Sequence, residues 1–219
     1  MDVNSYIDHT LLKPSATERD IINLCEEAKL HNFSSICVNG CFVPLAKQIL
    51  ERSQVKICCV IGFPFGAMST DAKVFEAKKA VDDGADEIEM VINIGLLRSK
   101  NYFRVLMDIS DVKIAIGKIP LKVILEISEL SKNEMIRASE ICLDAQADCI
   151  KTSTGFSKSG ATLTAVKIIK KTVRDKIKIK ASGGITDLNT AQKYIDAGVA
   201  GIGTSFGVDI VNSNSTSMV

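Results

Sequence analysis

Eight short apolar runs, each followed by a helix-like segment, set the strongest limit on how this chain folds. The runs are 5–9 (SYIDH), 34–38 (SSICV), 56–61 (KICCVI), 86–92 (DEIEMVI), 121–126 (LKVILE), 147–151 (ADCIK), 177–181 (IKIKA) and 200–203 (AGIG). They recur roughly 22–35 residues apart, the spacing of strand-plus-helix units. Ser15-x-x-Glu18 reads as a capping box opening one helix, with Ile21, Leu24 and Ala28 on its apolar face. Ser131-x-x-Glu134 opens another, followed by Met135, Ser139, Cys142 and Ala145, and Val74, Ala77 and Val81 mark a third. Residues 83–88 (DGADEI), 145–150 (AQADCI) and 197–202 (AGVAGI) repeat one grammar of helix end, small turn residue and strand start. Gly84 and Gly198 fall where a chain leaves a helix through the left-handed region.

No linker or composition shift divides the chain, so the pattern predicts one domain over residues 1–219, an α/β fold of the (β/α)8 TIM-barrel type. The competing arrangement is an open doubly wound sheet, and no glycine-rich dinucleotide fingerprint follows the early strands to favour it. From Asn212 the sequence NSNSTSMV reads as a frayed polar tail over 212–219.

Charge narrows the partners. Lys plus Arg total 27 and Asp plus Glu 26, a net +1 that gives no electrostatic reason to expect nucleic acid or a membrane surface. The opening MDVNSYIDHT lacks the basic stretch and apolar core of a signal peptide, and no apolar run approaches the length of a membrane span. The expectation is a cytoplasmic protein. Seven cysteines lie mostly inside apolar runs without a Cys-x-x-Cys pair, and the only histidines are His9 and His31. That pattern suits a reducing compartment and argues against a metal site. His31 reads as a surface or capping residue at a helix end.

In a barrel, side chains at the C-terminal ends of strands converge on one site. Those ends carry Asp8, His9, Cys37, Asn39, Gly62, Glu89, Glu126, Lys151, Lys180 and Gly203. Two lysines in one barrel mouth, 151 and 180, either bind an anion or serve as an amine. As an amine, a lysine must be neutral to attack a carbonyl, and at pH 7 only about one in 2,500 is, given a free pKa near 10.4. Lowering that pKa by about three costs on the order of 4 kcal/mol, which burial and a second cation supply. Lys180 is placed to be that cation for Lys151. Alternation puts Glu87 and Glu89 on one side of their strand, either in the lumen as a proton shuttle or at the rim. Two late glycine-rich turns, Ala181–Asp187 and Gly201–Ser205, stand where barrels hold phosphate on bare backbone N–H groups. The Gly62-Phe63-Pro64-Phe65-Gly66 turn forms a pocket wall or simply a turn.

These residues together resemble the deoxyribose-phosphate aldolases, carbon–carbon lyases of the class I, Schiff-base type with a (β/α)8 fold. The likeness runs through Ile7-Asp8-His9-Thr10-Leu11-Leu12-Lys13-Pro14, Cys37-Val38-Asn39, Val60-Ile61-Gly62-Phe63-Pro64 and Met90-Val91-Ile92-Asn93-Ile94-Gly95. It continues in Lys122-Val123-Ile124-Leu125-Glu126, Lys151-Thr152-Ser153-Thr154-Gly155-Phe156, Lys180-Ala181-Ser182-Gly183-Gly184-Ile185 and Gly203-Thr204-Ser205. The resemblance implies reversible cleavage of 2-deoxy-D-ribose 5-phosphate to D-glyceraldehyde 3-phosphate and acetaldehyde, without a cofactor or metal. It implies Lys151 as the Schiff-base lysine, Lys180 as the second lysine, and Glu89 in the proton relay. Asp8 and Thr10 would face the substrate, Cys37 would lie near the pocket, and Gly155, Gly183, Gly184, Gly203 and Ser205 would surround the phosphate.

Three positions depart from the family's pattern. Glu89 stands where aspartate is usual, Thr186 where an arginine is common, and Phe206 where a serine is frequent. Losing a bidentate donor and a hydroxyl weakens phosphate binding. Two other readings of the residues remain, a phosphosugar isomerase or epimerase using Glu89 as base, and a sugar-phosphate binder without catalysis. The expected partners are small phosphosugars and aldehydes, and exposed barrel helices leave room for a homodimer or higher homo-oligomer.

Overall fold

A computed structural model describes residues 3–215. Each of the eight apolar runs becomes a strand: β1 (Ile7–Leu11), β2 (Ser35–Asn39), β3 (Lys56–Ile61), β4 (Glu87–Val91), β5 (Leu121–Ile124), β6 (Cys149–Lys151), β7 (Lys178–Ser182) and β8 (Gly201–Thr204). Every neighbour pairs in parallel, and β8 closes on β1 through Ile7 opposite Ile202 and Asp8 opposite Gly203. The sheet is a closed barrel, not the open alternative. The first strand begins later than its apolar run because Val3–Tyr6 turns as a 3-10 helix.

Helices alternate with the strands: α1 (Glu18–Leu30), α2 (Val43–Leu50), α3 (Thr70–Asp82), α4 (Ile94–Arg98), α5 (Tyr102–Ile116), α6 (Lys132–Asp144), α7 (Leu163–Val173), α8 (Leu188–Asp196) and α9 (Gly207–Ser215). The α6 capping box is the one the sequence announces, Ser131 with Glu134. At α1 the cap is Thr17 with Asp20, not Ser15 with Glu18. The Ala16 N–H bonds the Lys13 carbonyl at 3.0 Å, so a turn consumes Ser15 before the helix starts. Ala77 is buried on α3 with Lys73 and Ala80, while Val74 and Val81 are half-buried. His31 caps α1 and stacks on Phe33. Gly84 and Gly198 hold φ of 107° and 88°, and Gln146 takes the same left-handed place in the third repeat with φ 57°. Helix α9 carries the polar tail as far as Ser215, and residues 216–219 of that tail lie outside the described residues.

Strand alternation sorts the side chains into two cores. Ile7, Ile36, Ile57, Ile88, Val123, Ile150, Ile179 and Ile202 point outward into one large apolar layer beneath the helices. Each such burial stabilises the fold by about 1.5–3 kcal/mol. The residues of opposite parity face the lumen. There Leu12, Cys37, Cys58 and Val60 form only a small apolar cluster, and charged groups fill the rest. The barrel therefore concentrates ionisable groups on its axis. Among the described residues no helix is long and apolar enough to cross a membrane.

Candidate active site

Lys151 ends β6 on the lumen side and is 1% exposed. Register sets it directly beside Lys180 of β7, one strand spacing away. Across the lumen, Glu89 of β4 is fully buried and joins the two: its Oε2 accepts from Lys151 Nζ at 2.5 Å and its Oε1 from Lys180 Nζ at 2.5 Å. Cys37 Sγ lies 3.5 Å from Glu89 Oε2. Asp8 of β1 accepts from Lys180 as well. Glu89 is thus in the lumen, as the first of the two positions open to it in the sequence.

A third lysine completes the cluster. Lys122 of β5 sits 2.5 Å from Glu87, 3.4 Å from Asp8 and 3.5 Å from Glu89. Sequence reasoning passed over it as part of an apolar strand. The signal was present, since Lys122 and Ile124 share the lumen parity that Lys151 and Glu89 follow. His9, another strand-end candidate, points outward instead. Its Nε2 meets Glu27 at 2.7 Å and its ring packs edge-on to Phe33. Buried Lys73 was also missed: it pairs with Asp108 at 2.5 Å and donates to the Val91 carbonyl at 3.1 Å, tying α3, α5 and the end of β4 together.

The environment acts in opposite senses on the two lysines. Burial pushes the Lys180 amine well below the usual lysine range. Burial acts on Lys151 in the same sense, but the Glu89 carboxylate and Cys37 outweigh it and hold Lys151 above its ordinary value. Lys122 is raised too, because Cys58, Glu89 and Glu87 overcome its burial. Glu89 is held below the usual carboxylate range, as Lys151 and Lys122 overcome its own burial. Burial thus disfavours the charged form of Lys180, while Glu89 favours the charged form of Lys151. That one carboxylate bridges both amines is not visible in the sequence.

Two cavities reach this cluster from opposite ends of the barrel. The C-terminal one, about 240 Å³, is lined by Thr10, Lys151, Thr154, Gly155, Ser182, Gly183, Gly184, Ile185, Thr186, Gly203, Thr204, Ser205 and Phe206. Lys151 is the only charged side chain among them. Lys180, Asp8, Lys122 and Glu87 instead line a cavity of about 760 Å³ at the N-terminal ends of the strands. The mouth thus gathers Thr10, Gly155, Gly183, Gly184, Gly203 and Ser205 with Lys151, whereas Asp8, Glu89, Lys180 and Cys37 do not line it.

Hydrogen bonds fix the mouth. Glu126, at φ 56°, accepts from the Thr154 N–H at 3.2 Å and from its hydroxyl, anchoring the loop after Lys151. Thr152 Oγ1 donates to the Ser182 carbonyl at 3.0 Å, and Ser182 Oγ donates to the Ser153 carbonyl at 2.5 Å. The Ala161 N–H donates to the Gly183 carbonyl at 3.0 Å, an approach so close that a Cβ on Gly160 would lie 2.1 Å from that oxygen. Gly183 and Gly184 both have positive φ, 91° and 76°, which turns successive backbone segments toward the mouth. Ser205 Oγ donates to the Thr10 carbonyl at 2.7 Å, and α9 begins just beyond. Phe63 of the Gly62–Gly66 turn and Phe156 meet edge-to-face with centroids 5.2 Å apart, and no residue of that turn lines the mouth cavity. Thr186 and Phe206 both line the mouth.

Such a site presents one amine to a small pocket, with a carboxylate and a second amine behind it. The described chain also matches known proteins along nearly its whole length. A family model described as "DeoC/LacD family aldolase" matches residues 3–213. The deoxyribose-phosphate aldolase of Natranaerobius thermophilus is 53% identical over 216 residues, covering 98% of each chain. That of Finegoldia magna is 51% identical over 211 residues, covering 96% of this chain and 99% of its own. Among solved structures, the tetrameric deoxyribose phosphate aldolase of Aeropyrum pernix superposes with a TM-score of 0.91 at 32% identity, covering 99% of this chain and 92% of that one.

Proposed function

The chain belongs to the DeoC/LacD family of aldolases, and from that premise we propose that it is a class I deoxyribose-phosphate aldolase with Lys151 as its Schiff-base residue. It cleaves 2-deoxy-D-ribose 5-phosphate reversibly to D-glyceraldehyde 3-phosphate and acetaldehyde, a step in deoxyribonucleoside catabolism. The observation that carries the role of Lys151 is its position: it is the one lysine that lines the C-terminal mouth, while Lys180 lies behind it on the same carboxylate.

The resting ammonium of Lys151 must lose its proton before it attacks. Two hydrogen bonds lead from it through Glu89 to Lys180, whose burial favours the neutral amine. A shift of one proton along them leaves Lys151 neutral and Lys180 charged. That is the state in which a neighbouring cation keeps the nucleophile unprotonated. Lys151 then adds to the C1 aldehyde, and loss of water gives the iminium. A base takes the C3 hydroxyl proton, the C2–C3 bond breaks, and its electron pair flows into the iminium to form an enamine. Glyceraldehyde 3-phosphate leaves with C3 as its aldehyde. C2 takes a proton back from the Glu89–Lys180 pair, and water releases acetaldehyde and Lys151. Glu89 supplies the acid–base capacity, and Cys37, 3.5 Å from it, has no assigned step.

Backbone N–H groups of Gly183, Gly184 and Ser205, with the start of the nine-residue α9, suit the phosphate. Thr186 and Phe206 offer no charge there, so phosphate affinity rests on the backbone and a raised KM is expected. A coupled assay for glyceraldehyde 3-phosphate tests the reading. Lys151→Arg should abolish release, whereas full activity in that variant would favour an isomerase or epimerase using Glu89 as base.

The seven cysteines are all free thiols, in keeping with a reducing, cytoplasmic setting. Phe75 on α3 and Phe103, Met107 and Ile114 on α5 are exposed apolar groups on adjacent helices, a face suited to a second copy of the chain. Sedimentation should give a homodimer or larger, and a strict monomer would remove this part of the proposal.

A further inference from the structure

Cys58 takes no part in the proposed chemistry, yet it shares the lumen with Glu89. Register pairs it directly with Cys37 across β2 and β3. The Sγ atoms of both and a Glu89 oxygen all lie within 4.8 Å of one another, and all three residues are buried. Cys37 Sγ is 3.5 Å from Glu89 Oε2. A tetrahedral zinc ion, with bonds of about 2.3 Å to sulfur and 2.1 Å to oxygen, sets those atoms about 3.6 Å apart. We propose that Cys37, Cys58 and Glu89 form a binding site for a thiophilic divalent cation of the zinc or cadmium type, and that its occupation inhibits the enzyme.

The surrounding lysines do not forbid it. Two thiol protons leave as one dication enters, so the total charge of the lumen is unchanged. The donor set is two thiolates and a carboxylate, with a fourth position for water, which suits zinc or cadmium rather than magnesium or calcium. The N-terminal cavity of about 760 Å³ approaches the three ligands as far as Lys122. Lys122 lines that cavity and reaches within 3.7 Å of Cys58 Sγ, so a cation entering there must displace its side chain. The two cysteines are 21 positions apart with no ligand spacing between them, which is why the sequence argued against a metal; only the parallel pairing of β2, β3 and β4 brings them to Glu89.

Inhibition follows from geometry. Glu89 Oε2, the atom nearest Cys37, is also the acceptor for Lys151. A cation that binds this oxygen takes the carboxylate from the Lys151–Glu89–Lys180 relay. The binding claim stands apart from the aldolase reading; the inhibition claim rests on it.

The test uses Cd2+ as probe on the full chain carrying Cys41→Ser, which removes the exposed thiol. Cadmium titration should develop the ultraviolet thiolate-to-metal band with a stoichiometry of one per chain. Losing even an outer partner of a metal site costs about 10- to 100-fold in affinity. Adding Cys58→Ser or Cys58→Ala should therefore weaken binding at least about tenfold, with basal aldolase activity kept. Glu89→Gln should weaken it similarly while both sulfur ligands remain. Activity of the Cys41→Ser chain should fall with the same midpoint as the band rises, and a chelator should restore it. No band, or a band unchanged by both Cys58 variants, overturns the site. Unchanged affinity in Glu89→Gln removes the carboxylate as ligand. Full occupancy with undiminished activity refutes the inhibition and leaves the aldolase reading intact.

Discussion

Replacing Glu89 by glutamine keeps the shape of the side chain and removes its charge from between two amines. In the structure that charge accepts from Lys151 and Lys180, each at 2.5 Å, and lies 3.5 Å from Lys122. Deleting one partner of a buried ionic cluster costs about 3–5 kcal/mol of stability when the rest stay charged, and part of this is relieved if a lysine releases its proton. The chemical effect is larger. Loss of a positioned acid–base group reduces rate by about 10²–10⁴, which is about 2.7–5.4 kcal/mol of barrier at 1.36 kcal/mol per decade. Imine formation should respond differently. Glu89 is what holds Lys151 above the ordinary lysine value against its burial, so without it the neutral amine becomes more available. Glu89→Gln should therefore release glyceraldehyde 3-phosphate 10²–10⁴ times more slowly, while borohydride still traps acetaldehyde on the chain at an undiminished rate. Both rates are read on the same folded preparation, with its melting temperature recorded. A cleavage rate within threefold of the parent would refute Glu89 as the shuttle. Loss of trapping in a folded variant would refute the idea that Glu89 favours the protonated form of the resting Lys151 amine.

Asp8→Asn removes a negative neighbour of Lys180, so the depressed Lys180 pKa should fall further. Because Lys180 must be neutral to accept a proton, activity is lost as pH falls through that pKa, and the acid limb of kcat/KM should move to lower pH in the variant; a shift to higher pH would contradict the assignment. A Cβ at position 203 would lie 2.9 Å from Ser182 Cβ and 3.0 Å from Lys180 Cε. Gly203→Ala should thus cost about 1–3 kcal/mol in urea unfolding and lower kcat more than it raises KM, and a KM effect alone would show that the added methyl leaves Lys180 undisturbed. Lys73→Met leaves buried Asp108 without its 2.5 Å partner and should cost about 3–5 kcal/mol; Lys73→Met with Asp108→Leu should recover much of this, and equal losses in single and double variants would deny the pairing.

How far the sequence reaches differs between fold and site. The barrel was legible because strand and helix periods alternate eight times, and turn grammar such as Asp83-Gly84 repeats at the joints. The helix start at Ser15 was misread because Ser15-x-x-Glu18 and Thr17-x-x-Asp20 are equally good boxes, and only the turn ending at Ala16 selects the second. Lys151 and Lys180 were visible as lysines at strand ends beside glycine-rich turns. The carboxylate that joins them was not, since Glu89 crosses from β4 to bridge β6 and β7. Lys122 and Cys58 stayed hidden inside apolar strands, because their importance comes from facing a lumen that only closure creates. His9 shows the opposite error: a polar group at a strand end whose parity points it away from the axis toward Glu27.

The central claim is that Lys151, and not its neighbour on β7, carries the covalent intermediate. Incubation with acetaldehyde and borohydride, followed by peptide mapping in a mass spectrometer, tests it directly. The account predicts a single ethyl-amine adduct on the peptide containing Lys151, lost in Lys151→Arg and retained in Glu89→Gln. An adduct confined to Lys180, or none on active protein, would contradict it.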